Sequence, residues 1–349
     1  MTETNRKIVI TGAKGQLGGE LCRILGERAV GLDIDTLDLT DRQAVLDRML
    51  GIRPELIINC AAYTQVDKAE TEQDLARVVN VGAVENLVEA CRRLDCPLVQ
   101  ISTDYVFERG PRTSEDSASA SPPRTPHAPR EEVALDNEIT PRPWSENDTP
   151  EPPHGIYART KLEGEFAAAK WQKHIIVRTC GLYARRTDEY AKHFVKTILR
   201  LADTRPELRV VNDQHCTPTY VPHLAQAIIF LGNAAVSGEA PKKGTGAFCA
   251  QHPEGRSGKM HLSPFSEPAV PWGTYHVTNR GQTTWFDFAA EIIRLAGKTT
   301  PIIPITTAEF AAPAPRPVYS VLDTAKYHAL GGPEMPDWQS GLRAFFTEK

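Results

Sequence analysis

The chain has 349 residues, 41% of them hydrophobic, and a formal net charge of −4. That length suits one large α/β unit or two lobes around a sizeable core. The mild acidity excludes a global basic field that would draw the chain to nucleic acid or a membrane surface, and no run of about 18 apolar residues offers a bilayer span.

The polar start MTETNRKIVI has no apolar signal core and leads into a strand. KIVITG (7–12) is a short apolar run closed by glycine, as in a buried strand. GQLGGELCRILGER follows with Leu17, Leu21, Ile24 and Leu25 at helical spacing. AVGLD (29–33) reads as a second strand, and DRQAVLDRMLGIRP as a helix stopped by glycine and proline. ELIINCAA (55–62) is a third strand, residues 80–94 a long amphipathic helix, and PLVQIS (97–102) a fourth strand. This alternation predicts a doubly wound parallel sheet of Rossmann-like type.

Residues 108–153 interrupt the pattern, being rich in Pro, Ser, Arg and Glu with little apolar periodicity. They read as a mobile surface insertion or as a lid. GIYARTKLEGEFAAAKW resumes as a helix and HIIVRT (174–179) as a strand. DEYAKHFVKTILRLA and VPHLAQAIIFLG are further helices, and residues 236–270 form a second polar insertion. GTYHVTN, TWFDFAAEIIRLAG, TPIIPI, PVYSVLD and WQSGLRAFF then suggest a smaller α/β lobe. The expected division is a dinucleotide-binding domain over 1–180 and a mainly substrate-binding lobe over 181–349. Segments such as 218–233 would pack back on the first domain. The seven cysteines lack Cys-x-x-Cys or zinc-type groupings and read as free thiols in a reducing cytoplasm.

Three stretches carry chemistry. In TGAKGQLG, Gly12, Gly15 and Gly18 stand between a strand and a helix, where backbone N–H groups can receive a pyrophosphate. The G-x-x-G-x-x-G spacing is a variant of the usual fingerprint, and its strand–helix context is what supports it. Asp33, about 20 residues on, can hold ribose hydroxyls and favour NADH, while Lys14 and Arg42 could offset the 2′-phosphate of NADPH. Cofactor preference stays open between the two. ISTDYVF closes the fourth strand, so Thr103, Asp104 and Tyr105 should edge the same crevice. In YARTK, Tyr157 and Lys161 share a helix face. An ammonium beside a phenol lowers its pKa and readies it to give a proton to a carbonyl. Taken alone, the pair could equally be two ordinary residues of one helix face.

Glycine loop, Ser/Thr-bearing strand end and Tyr-x-x-x-Lys follow in the order of the short-chain dehydrogenase/reductases. The chain resembles their extended branch, and more closely the dTDP-4-dehydrorhamnose reductase (RmlD-like, sugar-nucleotide-binding) family. TGAKGQLG, INCAAYTQVDKAE, VVNVGAVENLVEAC, STDYVF, YARTKLEGE, VRTCGLY, VNDQHCTPTYVPHLAQAI and RPVYSVLD carry the resemblance, which covers most of the chain outside the two insertions. It implies NADPH- or NADH-dependent reduction of the C4 keto group of a nucleotide-linked 4-keto-6-deoxy sugar. Tyr157 would be the proton donor, Lys161 would lower its pKa and hold the nicotinamide ribose, and Thr103 would polarise the same carbonyl. Gly12, Gly15, Gln16, Leu17 and Gly18 would hold the pyrophosphate, and Asp38 and Leu39 the adenine. Ala61, Ala62 and Tyr63 would lie on the nicotinamide side, and Asp104 and Tyr105 against the sugar nucleotide.

A tryptophan usual near the sugar is absent from the Arg178-Thr179-Cys180-Gly181 stretch, and no motif places metal ligands. A nucleotide-sugar partner and a homodimer fit the resemblance. Two other readings are an extended-branch epimerase, which consumes no net cofactor, and a non-catalytic module like the regulatory subunit of methionine adenosyltransferase.

Overall fold

The computed structural model describes residues 6–108, 141–185, 193–237 and 272–347. Its centre is a six-stranded sheet. In chain order the strands are β1 (Ile8–Thr11), β2 (Ala29–Leu32), β3 (Leu56–Asn59), β4 (Leu98–Thr103), β5 (His174–Thr179) and β6 (Gly273–His276). Every pairing is parallel, in the spatial order 2-1-3-4-5-6. The strand order reverses between β1 and β3, which opens a crevice beyond their C-terminal ends, where ligands bind in sheets of this kind. The doubly wound parallel sheet expected from the alternation is present.

Helices cover both faces: α1 (Gln16–Leu25), α2 (Arg42–Ile52), α3 (Ala83–Leu94), α4 (Ile156–Ala169) and α5 (Val221–Ser237). One core joins Ile8, Ile10, Ile58 and Val177 to Leu17 and Leu21 of α1 and to Leu224, Ile228 and Leu231 of α5. The other joins Val9, Ile57 and Ile176 to Val45 and Met49 of α2 and to Leu87 and Val88 of α3. Alternate strand residues thus serve opposite cores, as the period of two dictates. Both faces being covered explains why the strands read as continuous apolar runs.

A third core lies apart from the sheet. It contains Tyr183, Val195, Phe288, Trp338 and Phe345 and belongs to the C-terminal elements. There Ile302–Ile305 pairs in parallel with Leu208–Val211.

Two expectations change. Gly273–His276, read from sequence as part of the smaller lobe, is the edge strand of the main sheet, paired along β5 from Gly273↔Ile175 to His276↔Arg178. Residues 141–153, counted within a loose insertion, are packed in part. The Trp144 ring stacks on Phe107 at 4.4 Å, its indole N–H reaches the Tyr319 carbonyl at 3.1 Å, and Glu146 accepts the His276 N–H at 2.8 Å. One buried aromatic contact outweighs the local polar composition. The rest of that insertion (109–140) and residues 238–270 of the second lie outside the described residues.

Candidate active site

The parallel register lines up Thr11 with Asn59, and Thr103 with Thr179. The residues that follow these strand ends therefore meet along one edge. Beneath them the Thr11 hydroxyl donates to Asn59 (2.5 Å), whose amide donates to Gln100 (2.7 Å). This buried polar row ties three neighbouring strands together.

The glycine loop folds tightly over that edge. Gly12 has φ +66°, and a Cβ there would lie 2.7 Å from the Ala61 nitrogen. A Cβ on Gly18 would lie 2.1 Å from the Gly12 carbonyl oxygen. Both positions need glycine, one for its backbone and both for space. Gly15 starts α1 with no side chain capping it. Gln16 Oε1, nearby, is buried without a hydrogen-bond partner among the described residues. An open helix start and close-packed glycines fit a dinucleotide's pyrophosphate. Leu17 turns into the core. Ala61 and Ala62 follow β3, with the Ala61 N–H on Asn59 at 3.2 Å.

Beyond β2 the charges are already matched. Asp33 accepts the Lys14 and Ile34 backbone N–H groups, each at 2.8 Å. The Lys14 ammonium lies 2.7 Å from Asp35, and Arg42 makes a two-pronged contact with Glu89 at 2.7 and 2.6 Å. Asp38 turns its carboxylate onto Thr40, accepting both its N–H and hydroxyl, while Leu39 is buried and its carbonyl takes the Asn86 amide.

Helix α4 carries Tyr157, Lys161 and Glu165 four residues apart, on one face. Lys161 is buried and donates to the Ile101 carbonyl at 2.8 Å. Burial pushes its pKa down to about 8, against the opposing pull of Glu165 and Cys60. Glu165 pairs with Arg178 of β5 at 2.7 Å and accepts the Ser102 hydroxyl at 2.5 Å.

Tyr157 is half-buried, edge-on to Tyr105 with ring centroids 5.5 Å apart. Thr103 lies close enough to its phenol to act on it. Burial pushes the phenol up to about 12, and the nearby Asp104 adds to the rise over the lowering effect of Thr103. Lys161 directs its ammonium to the Ile101 carbonyl, and burial outweighs the other influences on the phenol.

Asp104 is buried behind Thr103, which donates to it at 3.1 Å. Burial raises its pKa despite hydrogen bonds from Cys180 and Ser320. Tyr105 is raised as well, first by burial and then by Asp104. Tyr63 is held from two sides: its N–H donates to Asn80 at 2.9 Å and its hydroxyl to Glu72 at 2.5 Å. Asn80 also donates to Thr160 on α4 at 3.0 Å, coupling the Tyr63 loop to the Tyr157 helix. A tryptophan does stand beside the Arg178–Gly181 stretch. Trp285 Cη2 lies 3.1 Å from where a Cβ on Gly181 would sit.

The structure thus gathers the glycine loop, Ala61, Thr103, Asp104, Tyr105, Tyr157 and Lys161 at one edge of the sheet, with Asp33, Asp38 and Leu39 at its flank. Sequence reasoning gave no role to Asn80, Asp67, Glu70, Glu108 or Arg316. Arg316 grips Asp67 through two contacts of 3.0 Å, bringing the RPVYSVLD segment against the AAYTQVDKAE segment. Neither segment's spacing reveals the other as partner. Among the described residues no cluster of three or more His, Cys, Asp or Glu is placed to hold a metal ion, and no helix is long and apolar enough to cross a membrane.

A family model described as RmlD substrate binding domain matches residues 6–248 and 260–349. A dTDP-4-dehydrorhamnose reductase of Streptomyces griseus is 33% identical over 344 residues, covering 97% of this chain and 92% of its own. Its counterpart from Escherichia coli K12 is 30% identical over 354 residues, covering 98% and 97%. The fold is similar to a crystal structure of dTDP-4-dehydrorhamnose reductase from Bacillus anthracis in complex with NADP. That match has a TM-score of 0.76 and 33% identity, and covers 99% of both chains.

Proposed function

The chain belongs to the RmlD substrate-binding family, and from that premise we propose that it is an NADPH- or NADH-dependent reductase of a nucleotide-linked 4-keto-6-deoxy sugar. The reaction we assign is dTDP-4-dehydro-L-rhamnose to dTDP-L-rhamnose. The observation that carries this reading is the convergence of Thr103 and Tyr157 at the C-terminal edge of the sheet, near enough for Thr103 to act on the phenol, beside the glycine loop. The full-length relatives named as this reductase support the choice of substrate.

The nicotinamide cofactor, when bound, supplies the hydride. The chain's own residues handle the oxygen that gains charge. Tyr157, its proton held firmly by burial, donates to the C4 oxygen, and the Thr103 hydroxyl donates to the same atom. The Thr103 hydroxyl, which donates to Asp104 in this structure, turns to the carbonyl oxygen, and donors aimed at that atom stabilise the developing charge. Lys161 supports the strand end and holds the nicotinamide ribose. Gly12, Gly15, Gln16, Leu17 and Gly18 receive the pyrophosphate, and Asp33, Asp38 and Leu39 take the adenosine end. Ala61, Ala62 and Tyr63 line the nicotinamide side, and Asp104 and Tyr105 border the sugar. Residues 1–180 supply most of the cofactor half and residues 181–349 most of the substrate half.

The six described cysteines are free thiols, which supports a cytoplasmic setting. A homodimer is the assembly this reading favours, to be tested by light scattering. The function itself is tested by cofactor oxidation, followed by absorbance, on adding dTDP-4-dehydro-L-rhamnose. Tyr157→Phe should lower turnover by about 100-fold or more with cofactor binding retained. Turnover of Tyr157→Phe near wild type would remove the assignment.

A further inference from the structure

Helix α4, which carries Tyr157, starts without a cap of its own. Gly155 precedes it and offers no side chain. The N–H groups at a helix start need acceptors, and two distant glutamates supply them for the residues entering α4 and for its first residue. Glu108 accepts the His154 N–H at 2.9 Å with one oxygen and the Gly155 N–H at 2.9 Å with the other. Glu70 accepts the Ile156 N–H at 2.8 Å. The two carboxylates converge: a Cβ on Gly155 would lie 2.9 Å from Glu108 Oε2 and 3.7 Å from Glu70 Oε1.

A Ser, Thr or Asp at the helix start would serve stability as well. What the distant pair adds is attachment. Glu108 lies four residues beyond Asp104, at the end of the turn that follows Thr103. Glu70 ends the segment in which Asp67 holds Arg316 and Tyr63 meets Asn80. The first turn of the Tyr157 helix is thereby fixed to the Thr103 turn on one side and to the Tyr63 loop on the other. Carboxylates also match the positive end of the helix dipole, which strengthens both contacts.

We infer that Glu70 and Glu108 are positioning residues for Tyr157. They set the phenol's place relative to Thr103 and touch neither substrate nor cofactor. This rests on Tyr157 being the proton donor proposed above. The two residues differ in detail. Glu108 uses both oxygens, so Glu108→Gln loses one of two contacts. Glu70 uses one for α4, so Glu70→Gln can keep it.

The test compares Glu70→Ala, Glu70→Gln, Glu108→Ala and Glu108→Gln in the full chain, each with Tyr157 and with Tyr157→Phe. Steady-state turnover, cofactor dissociation constant by fluorescence titration and melting temperature are read for each. A misplacement of about 1 Å can cost about 100-fold, so each alanine variant should lose about 10- to 100-fold in kcat with cofactor affinity little changed. Glu70→Gln should recover most of its loss, and Glu108→Gln only part. In the Tyr157→Phe background each substitution should cost less than about twofold, because residues acting as one unit are non-additive. Unchanged kcat in Glu108→Ala, or an equal loss with and without Tyr157, would overturn the inference. If an alanine variant does not fold, the contrast between Glu70→Gln and Glu108→Gln decides, equal effects counting against it. Near-wild-type turnover of Tyr157→Phe itself would instead strike the functional reading.

Discussion

The Lys161 ammonium donates to the carbonyl of Ile101, 2.8 Å away. Ile101 stands two residues before Thr103 on β4, and Lys161 four after Tyr157 on α4. One contact therefore joins the strand and the helix that bring the two hydroxyl donors together, and a buried charge depends on it.

That burial sets a pH dependence. Lys161 is pushed down to about 8 and Tyr157 up to about 12. As pH rises, the lysine loses its proton first, and the tyrosine stays protonated through the neutral and mildly alkaline range. We predict that kcat/KM falls above about pH 8, and that Lys161→Met lowers the plateau and abolishes this limb. A limb unchanged in Lys161→Met would assign it to another group.

The adenosine end should discriminate between the two cofactors. A 2′-phosphate would bring negative charge toward Asp33 and Asp35, while Lys14 is already paired with Asp35 and Arg42 with Glu89. We predict that NADH binds more tightly than NADPH, by about tenfold or roughly 1.4 kcal/mol, in direct fluorescence titrations. Asp33→Asn should narrow the gap. Equal affinities would show that the paired cations let go for the phosphate.

Gly18→Ala should disable the cofactor site. Its Cβ would meet the Gly12 carbonyl oxygen at 2.1 Å and the carbonyl carbon at 2.8 Å, both backbone atoms. The loop has to open. Cofactor titration should show affinity falling by about 100-fold or more, equivalent to roughly 3 kcal/mol, with the circular dichroism of the fold retained.

The buried pair Glu165–Arg178 should matter for stability. Both side chains are nearly inaccessible, at 4% and 6%, and their oxygens and nitrogens meet at 2.7 and 2.9 Å. Arg178→Met leaves a buried carboxylate unpaired and should cost about 3–5 kcal/mol in urea unfolding. Glu165→Leu combined with Arg178→Met should cost less than either single change.

Much of this arrangement is legible in the residues. β1, β3 and β4 announce themselves as apolar runs because both faces of the sheet are covered. The Gly12/Gly15/Gly18 loop is readable because strand and helix flank it closely. The shared face of Tyr157 and Lys161 follows from helical period alone. Period does not say which acceptor an ammonium reaches, and the Ile101 carbonyl sits on another element. Glu108 and Glu70 meet the start of α4 across 47 and 86 residues, a separation over which no local pattern carries information. Gly273–His276 is only four residues long, and nothing in its composition tells an edge strand of the main sheet from one in the smaller lobe. Trp144 looks like part of a polar stretch until Phe107 lies under it.

The Glu108 carboxylate holds two amides that follow it by 46 and 47 positions, and Trp144 is anchored on Phe107. The chain thus departs after 108 and is fastened again by 144, so the number of residues strung between those points is decoupled from the register of Tyr157. The register of Tyr157 is therefore set by contacts at Glu108 and Phe107.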